Sequence, residues 1–428
     1  MNILMFTNTF TPHVGGVARS VAGFAAAFRA AGHRVVVVAP RFEGTPEDEA
    51  DVVRFPAVQN FNGSDFSVPV PVPGILAATV EDLQPDLVHS HHPFLLGDTA
   101  LRVAATRNVP VVFTHHTMYE NYTHYVPGDS PQMRRFAIDL ATGYCNLCDA
   151  VIAPSETVAG ILRERGVRTR VEVVPTGVDL AAFRRGDRAA GRRRAGIAAD
   201  RFVVGHVGRL APEKNLDFLA GALARFAARD ARAHVLIAGA GPSRDAIARA
   251  FEAEAVSDRL ALVGVLDRPA LADLYRALDV FAFASLTETQ GLVVAEAMAA
   301  GVPVVALDAA GVREVVRDRY NGRLLARPDT DAFLAALAWV RGLDRNARDR
   351  LLAGVAQTAQ RYSIERTARR ALALYADLIR AGRAERHPGD DLWHTAQRRL
   401  GEEWKIVRNI AAAVGDAWLS LGREREER

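Results

Sequence analysis

The sequence predicts an α/β protein of two doubly wound domains in tandem, followed by an amphipathic helical extension. Three observations carry this. At 428 residues the chain is too long for one ordinary core, and two domains is the natural division. Through the first 180 residues, short β-branched runs alternate with helical patterns, as parallel strands covered by helices do. A second array of the same kind begins at Phe202.

In the first half, strands are expected at Ile3–Phe6, Val35–Ala39, Leu87–His89, Val111–Thr114, Val151–Ala153 and Val171–Val174. Helical patterns fall between them at Gly16–Ala31, Asp98–Arg107, Pro131–Cys148 and Glu156–Arg165. Pro175-Thr-Gly-Val-Asp179 then breaks the alternation. Arg184 to Arg194 holds six arginines in eleven residues. A solvated linker face is the default expectation for that run, and a phospholipid contact is the sharper one. Strands of the second array are expected at Val203–Val207, Val235–Ala238, Ala261–Val263, Val280–Ala282 and Val304–Ala306.

The end of the chain is different. Three of the four tryptophans, Trp393, Trp404 and Trp418, lie in its last 36 residues. With Ala396, Leu400, Val407, Ala411, Val414 and Leu421 they recur at steps of three or four, forming one apolar stripe. Arg398, Arg399, Lys405 and Arg408 flank it. Docking on the protein's own surface and interfacial membrane binding are both open, with coiled-coil pairing a weaker third.

Bulk properties exclude several classes. The formal charge of +3 is small for this length and argues against a dedicated nucleic-acid binder. No apolar run approaches the roughly 20 residues needed to cross a bilayer. Met1-Asn-Ile-Leu-Met-Phe reads as a first strand and not a signal peptide, so a cytoplasmic location is expected. Cys145 and Cys148 have no second cysteine pair to complete a zinc site, and their spacing puts both on one side of a helix, as core packing requires.

The richest stretch is Ser285-Leu-Thr-Glu-Thr-Gln-Gly-Leu-Val-Val-Ala-Glu-Ala-Met-Ala-Ala-Gly-Val-Pro-Val-Val305. From Gly291 to Gly301 every residue is apolar or glycine except Glu296. An ionised carboxylate there is costly unless compensated, and a buried arginine is the bland partner for it. Glu288 sits just before the helix, where unpaired backbone amides favour an anion. A ligand with hydroxyls at one end and phosphates in the middle, such as a sugar nucleotide, satisfies both. Upstream, Val207-Gly-Arg-Leu-Ala-Pro-Glu-Lys-Asn215 places Arg209 and Lys214 around a strand-to-helix turn, a fork and a point charge for a diphosphate. Gly239-Ala-Gly-Pro242 lacks the third glycine of a dinucleotide fingerprint, since position 244 is arginine. Asp329-Thr-Asp331 precedes a helix at Ala332–Val340 and is expected to cap it rather than bind metal.

The phrase Thr-Glu-Thr-Gln-Gly-Leu-x-x-x-Glu-Ala-Met-Ala-x-Gly-x-Pro-Val-Val resembles the donor-site signature of glycosyltransferase family 4, retaining enzymes of the GT-B fold. The resemblance implies two Rossmann-like domains facing a cleft, with domains at 1–180 (acceptor) and 181–360 (donor). It also implies a crossover helix at 361–382, after Arg361-Tyr-Ser-Ile-Glu365; the family pattern stops before the extension at 383–428. By the same resemblance, Arg209 and Lys214 neutralise the departing nucleoside diphosphate, Glu296 binds the ribose and Glu288 faces the transferred sugar. The backbone amides of Gln290, Gly291 and Leu292 hold phosphate or sugar oxygens, and Val265, after Gly264, lies beside the base. Gly15 and Gly16, in Thr11-Pro-His-Val-Gly-Gly-Val17, sit over the donor phosphates; a tight turn there is compatible with that role. No cofactor and no catalytic metal are implied, the UDP-sugar being a co-substrate.

On the acceptor side, Phe113-Thr-His-His-Thr-Met-Tyr-Glu-Asn-Tyr-Thr-His-Tyr125 carries three histidines and three tyrosines past a strand's carboxyl end, where open α/β sheets bind ligands. It resembles the diacylglycerol glucosyltransferases within the family. His116 then matches the active-site histidine, and Tyr119, Tyr122, His124 and Tyr125 shape the acceptor pocket. His91, in Ser90-His-His-Pro93, is either a site residue or a structural one.

The expectation is therefore a retaining hexosyltransferase moving glucose from a UDP-sugar to a lipid, 1,2-diacylglycerol, at an anionic membrane surface on the cytoplasmic face. Arg134 and Arg135 could add attraction to anionic lipid. Two alternatives are a transferase with a soluble sugar, cyclitol or secondary-metabolite acceptor, and a non-catalytic sugar-nucleotide sensor.

Overall fold

A computed structural model describes residues 1–426 except 14, 47–48, 60–67, 71–73, 126–129 and 386–391. The side chains of 122, 124, 125, 383–385, 392–396 and 418–426 also lie outside the described residues. The chain forms two compact units, Met1–Pro175 with Thr367–Arg428, and Thr176–Arg366.

The first unit runs β1 (Asn2–Phe6), α1 (Gly16–Ala30), β2 (Arg34–Pro40), β3 (Val52–Phe55), β4 (Ala57–Val58), β5 (Val68–Pro69), α2 (Ala77–Leu83) and β6 (Leu87–Ser90). It continues through α3 (Leu96–Arg107), β7 (Val111–Thr114), a 3-10 segment (Tyr119–Tyr125), α4 (Pro131–Leu147), β8 (Ala150–Ala153), α5 (Glu156–Glu164) and β9 (Arg170–Val173). Seven strands form one sheet in the order β3-β2-β1-β6-β7-β8-β9, and every pairing in it is parallel. The strand order reverses between β1 and β6, the switch point where such sheets bind ligands at their carboxyl ends. Ile3–Phe6 of β1 and all of β6, β7 and β8 are buried, which is why apolar residues dominate them, with His89, Ser90 and Thr114 as the polar exceptions. The edge strand β3 escapes that pattern because Val-Val-Arg-Phe is mostly half-buried. Ser130 and Ser155 start α4 and α5 by accepting hydrogen bonds from the Met133 and Val158 amides, each at 3.2 Å. Cys145 and Cys148 are buried in this unit's core, as their spacing leads one to expect.

The second unit runs α6 (Leu180–Arg184), α7 (Arg188–Arg194), β10 (Phe202–Val207), a 3-10 turn (Pro212–Lys214), α8 (Leu216–Arg229), β11 (Ala233–Ala238), α9 (Arg244–Ala253) and β12 (Leu260–Leu262). Then come α10 (Arg268–Ala277), β13 (Val280–Phe283), α11 (Leu292–Ala299), β14 (Val304–Leu307), α12 (Val312–Val315), β15 (Gly322–Leu325), α13 (Thr330–Arg341) and α14 (Arg345–Arg361). Its six strands are ordered β12-β11-β10-β13-β14-β15, again all parallel. Along β10, Val203 and Val207 face one core and Val204 faces the other, the period-two alternation that fills both faces of the sheet.

The arginine run at 184–194 is exposed except for one member, Arg192. Arg192 is buried, donates to Asp279 at 2.9 Å and to the carbonyls of Ala277 and Ala199, and Arg188 reaches the same carboxylate at 2.7 Å. Both arginines thus hold α7 against the segment after α10. Gly191 permits that approach, since a Cβ there would lie 2.2 Å from the Asp273 carbonyl oxygen.

From the second unit, α15 (Ile364–Glu385) carries the chain into the first, where it is followed by α16 (Leu392–Glu426). α16 packs on α3 and α4. Its docked side is Glu402, Ile406, Asn409, Ala413 and Ala417: Ile406 and Ala413 are buried, Glu403 pairs with Arg102 at 2.6 Å, and Asn409 donates to the Leu140 carbonyl at 3.2 Å. The apolar stripe read from the sequence is another face. Leu400 is 71% exposed and Trp404 67%, and Val407, Ala411 and Val414 are exposed too, so the described part of this stripe faces away from the docked side. Trp393, Ala396, Trp418 and Leu421 lie outside the described side chains. No helix among the described residues is long and apolar enough to cross a membrane.

Candidate active site

In the second unit the switch point lies between β10 and β13, and both charged motifs leave the sheet there. After β10 the chain passes Arg209 and the 3-10 turn before α8; after β13 it passes Glu288 before α11. Lys214 Nζ donates to Glu288 Oε1 at 2.5 Å, with both side chains mostly buried. Arg209 pairs with Glu213, one helical turn on. Glu213 was not singled out from sequence, though its four-residue spacing from Arg209 was a readable signal. A diphosphate arriving here would meet two cations already oriented by carboxylates.

Backbone packing fixes these loops. A Cβ on Gly239 would lie 1.8 Å from the Gly208 carbonyl oxygen, and one on Gly241 would lie 2.3 Å from that of Leu210. Leu210 donates to the Ala240 carbonyl at 2.8 Å. The glycine turn that failed as a dinucleotide fingerprint therefore buttresses the Arg209 loop. Gly311 does the same for Glu288: its amide donates to the Glu288 carbonyl at 3.0 Å, and a Cβ there would lie 2.2 Å from the Gln290 nitrogen. Neither role is visible in sequence, because each depends on a segment distant along the chain.

Glu296 is buried in α11, and a partner for it is the hydroxyl of Tyr275, which donates to Oε2 at 2.9 Å. Tyr275, itself fully buried on α10, was not foreseen. Gln290 uses its side chain to bracket Thr176, accepting from its amide at 2.6 Å and donating to its carbonyl at 2.8 Å. Gly291 adopts φ +70° as the N-cap of α11, a conformation that favours glycine, and Leu292 opens the helix. The amides of that first turn lie at the positive end of the helix. Val265 follows Gly264 (φ +71°) and is 59% exposed. His206, at the end of β10, was missed. It stacks near Phe281 and Phe283, donates from Nδ1 to the Ala282 carbonyl at 3.1 Å, and burial lowers its pKa to about 4. Asp329 accepts from the Ala332 amide at 2.9 Å as the N-cap of α13, the capping role read from sequence.

The first unit collects histidines at the ends of β6 and β7. His91 Nδ1 lies 2.9 Å from His116 Nε2, with the rings stacked at 5.2 Å. His89 bonds Thr114 through Nε2 and the Tyr375 hydroxyl of α15 through Nδ1, each at 2.7 Å. His92 Nδ1 accepts from the Asn8 amide at 3.0 Å. Burial pushes His89 and His92 down to about 3 and His115 to about 4, and holds His91 and His116 well below the usual imidazole value. His91 is thus brought to His116, while His115, next in sequence, points into the core.

Tyr119 packs edge-on against Phe94 and His115, and its buried hydroxyl is held far above its ordinary pKa by burial. Glu120 ties the same segment to α5 through Arg165 at 2.6 Å. The side chains of Tyr122, His124 and Tyr125 lie outside the described residues. Gly15 is the N-cap of α1; a Cβ on it would approach the His13 ring at 3.1 Å, whereas Gly16 faces open space.

With two parallel α/β units, cation–carboxylate pairs at one switch point and a histidine cluster at the other, the molecule has the makings of a group-transfer enzyme acting on a phosphorylated donor. The model of Glycosyltransferase Family 4 matches residues 14–182, and that of Glycosyl transferases group 1 matches 201–341. An alpha-monoglucosyldiacylglycerol synthase of Streptococcus pneumoniae is 28% identical over 337 residues, covering 76% of this chain and 75% of that protein. A D-inositol 3-phosphate glycosyltransferase of Kribbella flavida is 34% identical over 305 residues, covering 68% of this chain and 70% of the relative. Among solved structures, Anabaena HepE in complex with UDP superposes with a TM-score of 0.68 at 21% identity, over 88% of this chain and all of that one. The chain belongs to glycosyltransferase family 4. It is a glycosyltransferase with the two Rossmann-like domains of the GT-B fold.

Proposed function

We propose that this enzyme transfers glucose from UDP-glucose to the free hydroxyl of 1,2-diacylglycerol with retention, giving an α-glucoside and UDP. The observation that carries the donor half is the charge arrangement after β10 and β13, in which Arg209, Lys214 and Glu288 are held at the carboxyl ends of adjacent strands. Support for the lipid half is the phrase from His116 to Tyr125, together with the diacylglycerol acceptor named for the streptococcal relative. The nucleotide is assigned from the UDP held by HepE.

In this scheme the acceptor oxygen bonds to the anomeric carbon as the bond to the β-phosphate breaks, and the acceptor's proton passes to the departing phosphate oxygen. Arg209 and Lys214 stabilise the charge that develops there, aided by the first-turn amides at Gln290, Gly291 and Leu292. That supply of positive charge stands where other transferases use a metal, so neither metal nor cofactor is part of the proposal. Glu296, oriented by Tyr275, holds the ribose hydroxyls, Val265 flanks the base, and Gly15 and Gly16 lie over the phosphates. Glu288 contacts the sugar. His116, kept neutral by burial, can donate or accept one hydrogen bond at the transferred sugar without adding charge, and His91 sets which. Tyr119, Tyr122, His124 and Tyr125 line the acceptor site. The enzyme would work on the cytoplasmic face of the membrane that holds its acceptor.

A second reading has its own observation: the inositol-phosphate relative is the more identical in sequence, which favours a soluble, hydroxyl-rich acceptor. Incubation of UDP-glucose with diacylglycerol in mixed vesicles, read by mass spectrometry beside Glu288→Ala, decides between them. A glucolipid lost in the variant supports the proposal. UDP release without glucolipid, and a product with a soluble cyclitol, would replace it.

A further inference from the structure

The two faces of α16 have different fates. Glu402, Ile406, Asn409, Ala413 and Ala417 are turned to α3 and α4. On the outward side, Leu400, Trp404, Val407 and Val414 follow one another at helical steps, with Ile410 beside them, and all five are exposed. Scattered exposed hydrophobics need no explanation, but a contiguous stripe on a docked helix does. The stripe is not needed to hold the helix, because the opposite face does that.

Charge identifies the occupant. The helix carries glutamates and arginines in similar measure, yet they are sorted. Glu402 is 8% exposed and Glu403 pairs with Arg102 on α3, so both acids are spent on the protein side. Arg399, Lys405 and Arg408 stay on the exposed side, with Lys405 bridging back to Glu402 at 3.1 Å; Asp416 is the exposed acid over residues 397–417. A convex apolar ridge bearing a tryptophan and bordered by basic residues suits a planar anionic surface better than a groove-bearing protein. α16 also packs on α4, the helix that follows and contacts the 3-10 segment of the acceptor phrase. A surface held by α16 is therefore mechanically linked to that segment within one unit.

We propose that the outward face of α16, centred on Leu400, Trp404 and Val407, seats the enzyme on an anionic lipid bilayer. The inference extends the lipid-acceptor reading but does not depend on it. The test is flotation of the full chain with phosphatidylcholine vesicles, with and without phosphatidylglycerol, beside the double variant Trp404→Glu/Val407→Glu. Both positions are exposed, so the variant should keep the wild-type melting temperature and UDP affinity. The wild type is expected to float with the anionic vesicles and less so in high salt, and the variant to lose about tenfold or more in affinity. Arg408→Glu should weaken binding less, and only at low salt. A wild type that stays in solution, or a double variant that floats equally well, would overturn the assignment. So would a dimer that the variant dissolves, which would give the face to a second copy of the chain. Vesicle binding through this face without any glucosyl-diacylglycerol would leave the inference standing and remove only the acceptor reading.

Discussion

The two sheets share one pattern of strand order, the first with an extra edge strand, and the same kind of switch point, yet their carboxyl ends are chemically opposite. The second unit gathers charges there and pairs them: Arg209 with Glu213, Lys214 with Glu288. The first gathers imidazoles and keeps them neutral by burial. The difference lies in where each motif sits relative to the strand. Arg209, Lys214 and Glu288 are in loops beyond β10 and β13, where solvent reaches them. His89 lies within β6, His91 and His115 follow directly after strand ends and are buried, and His116 comes one residue later, half-buried beside His91. One scaffold thus offers an ionic end suited to a diphosphate and a neutral end suited to hydroxyls.

The sharpest way to break the comparison is to remove a charge from the ionic end. Lys214→Ala should lower kcat/KM by about 10²–10³, the usual cost of losing one preorganised donor to a developing oxyanion. Glucose transfer at near wild-type rates would show that Lys214 is only a partner for Glu288. The variant's melting temperature should also fall, since Glu288 loses a partner within a mostly buried ion pair.

At the neutral end the expected signature is pH. Each buried histidine stays unprotonated in the folded unit but takes a proton near its ordinary value of 6.5 when unfolded. Between the two values the unfolded chain binds more protons, so stability is complete above about pH 6.5 and falls as pH drops below it, by about 1.4 kcal/mol per unit for each histidine. For His115 the loss continues to about 4, and for His89 and His92 to about 3. Proteolysis in graded urea, with cleavage sites mapped at about pH 7.5 and about pH 5.5, should show the first unit opening earlier at the lower pH. The second unit, with His206 and the half-buried His234, should respond less. Equal sensitivity in both units would erase the distinction.

A smaller effect should come from Tyr275→Phe, which removes the 2.9 Å hydrogen bond to Glu296. Titration should find KM for the nucleotide sugar raised about tenfold with kcat nearly intact, because the interaction orients a binding group; the cost to stability should be about 1–2 kcal/mol. A drop in kcat at constant KM would move Glu296 from nucleotide binding to the chemical step. Smallest of all is Gly16→Ala. The space around Gly16 is open, so the protein should melt normally, and only KM should rise, by about two- to fivefold if the methyl meets the donor phosphates. An unchanged KM would take Gly16 out of the donor site.

Much of this molecule is legible in its sequence, for reasons that differ by region. Central strands such as Val111–Thr114 announce themselves because both faces are buried, so apolar residues dominate and the one polar residue, Thr114, is hydrogen-bonded to His89. The edge strands Val52–Phe55 and Gly322–Leu325 do not, since half-burial tolerates arginine and glycine. Glu296 could be picked out because a carboxylate in an apolar run is costly and therefore conspicuous, and Glu288 because it precedes a helix start; Arg209 and Lys214 were legible through the family motif, since an Arg and a Lys five apart are ordinarily solvated. Their supports, Glu213, Tyr275, Gly239, Gly241 and Gly311, could not, or only faintly, since their roles exist only once distant segments meet. The stripe on α16 was visible as a period of hydrophobicity, but a period says only that a face is apolar. Which face docks was decided by packing: Ile406 and Ala413 fit against α3 and α4 with Asn409 and Glu403 bonded alongside, and the more apolar side was left outward. Local chemistry thus determined the elements and the charged groups of this protein. Tertiary contact alone decided which groups are neutral, which glycines matter and which surface faces out, because burial and close approach are properties of pairs of segments and not of either one.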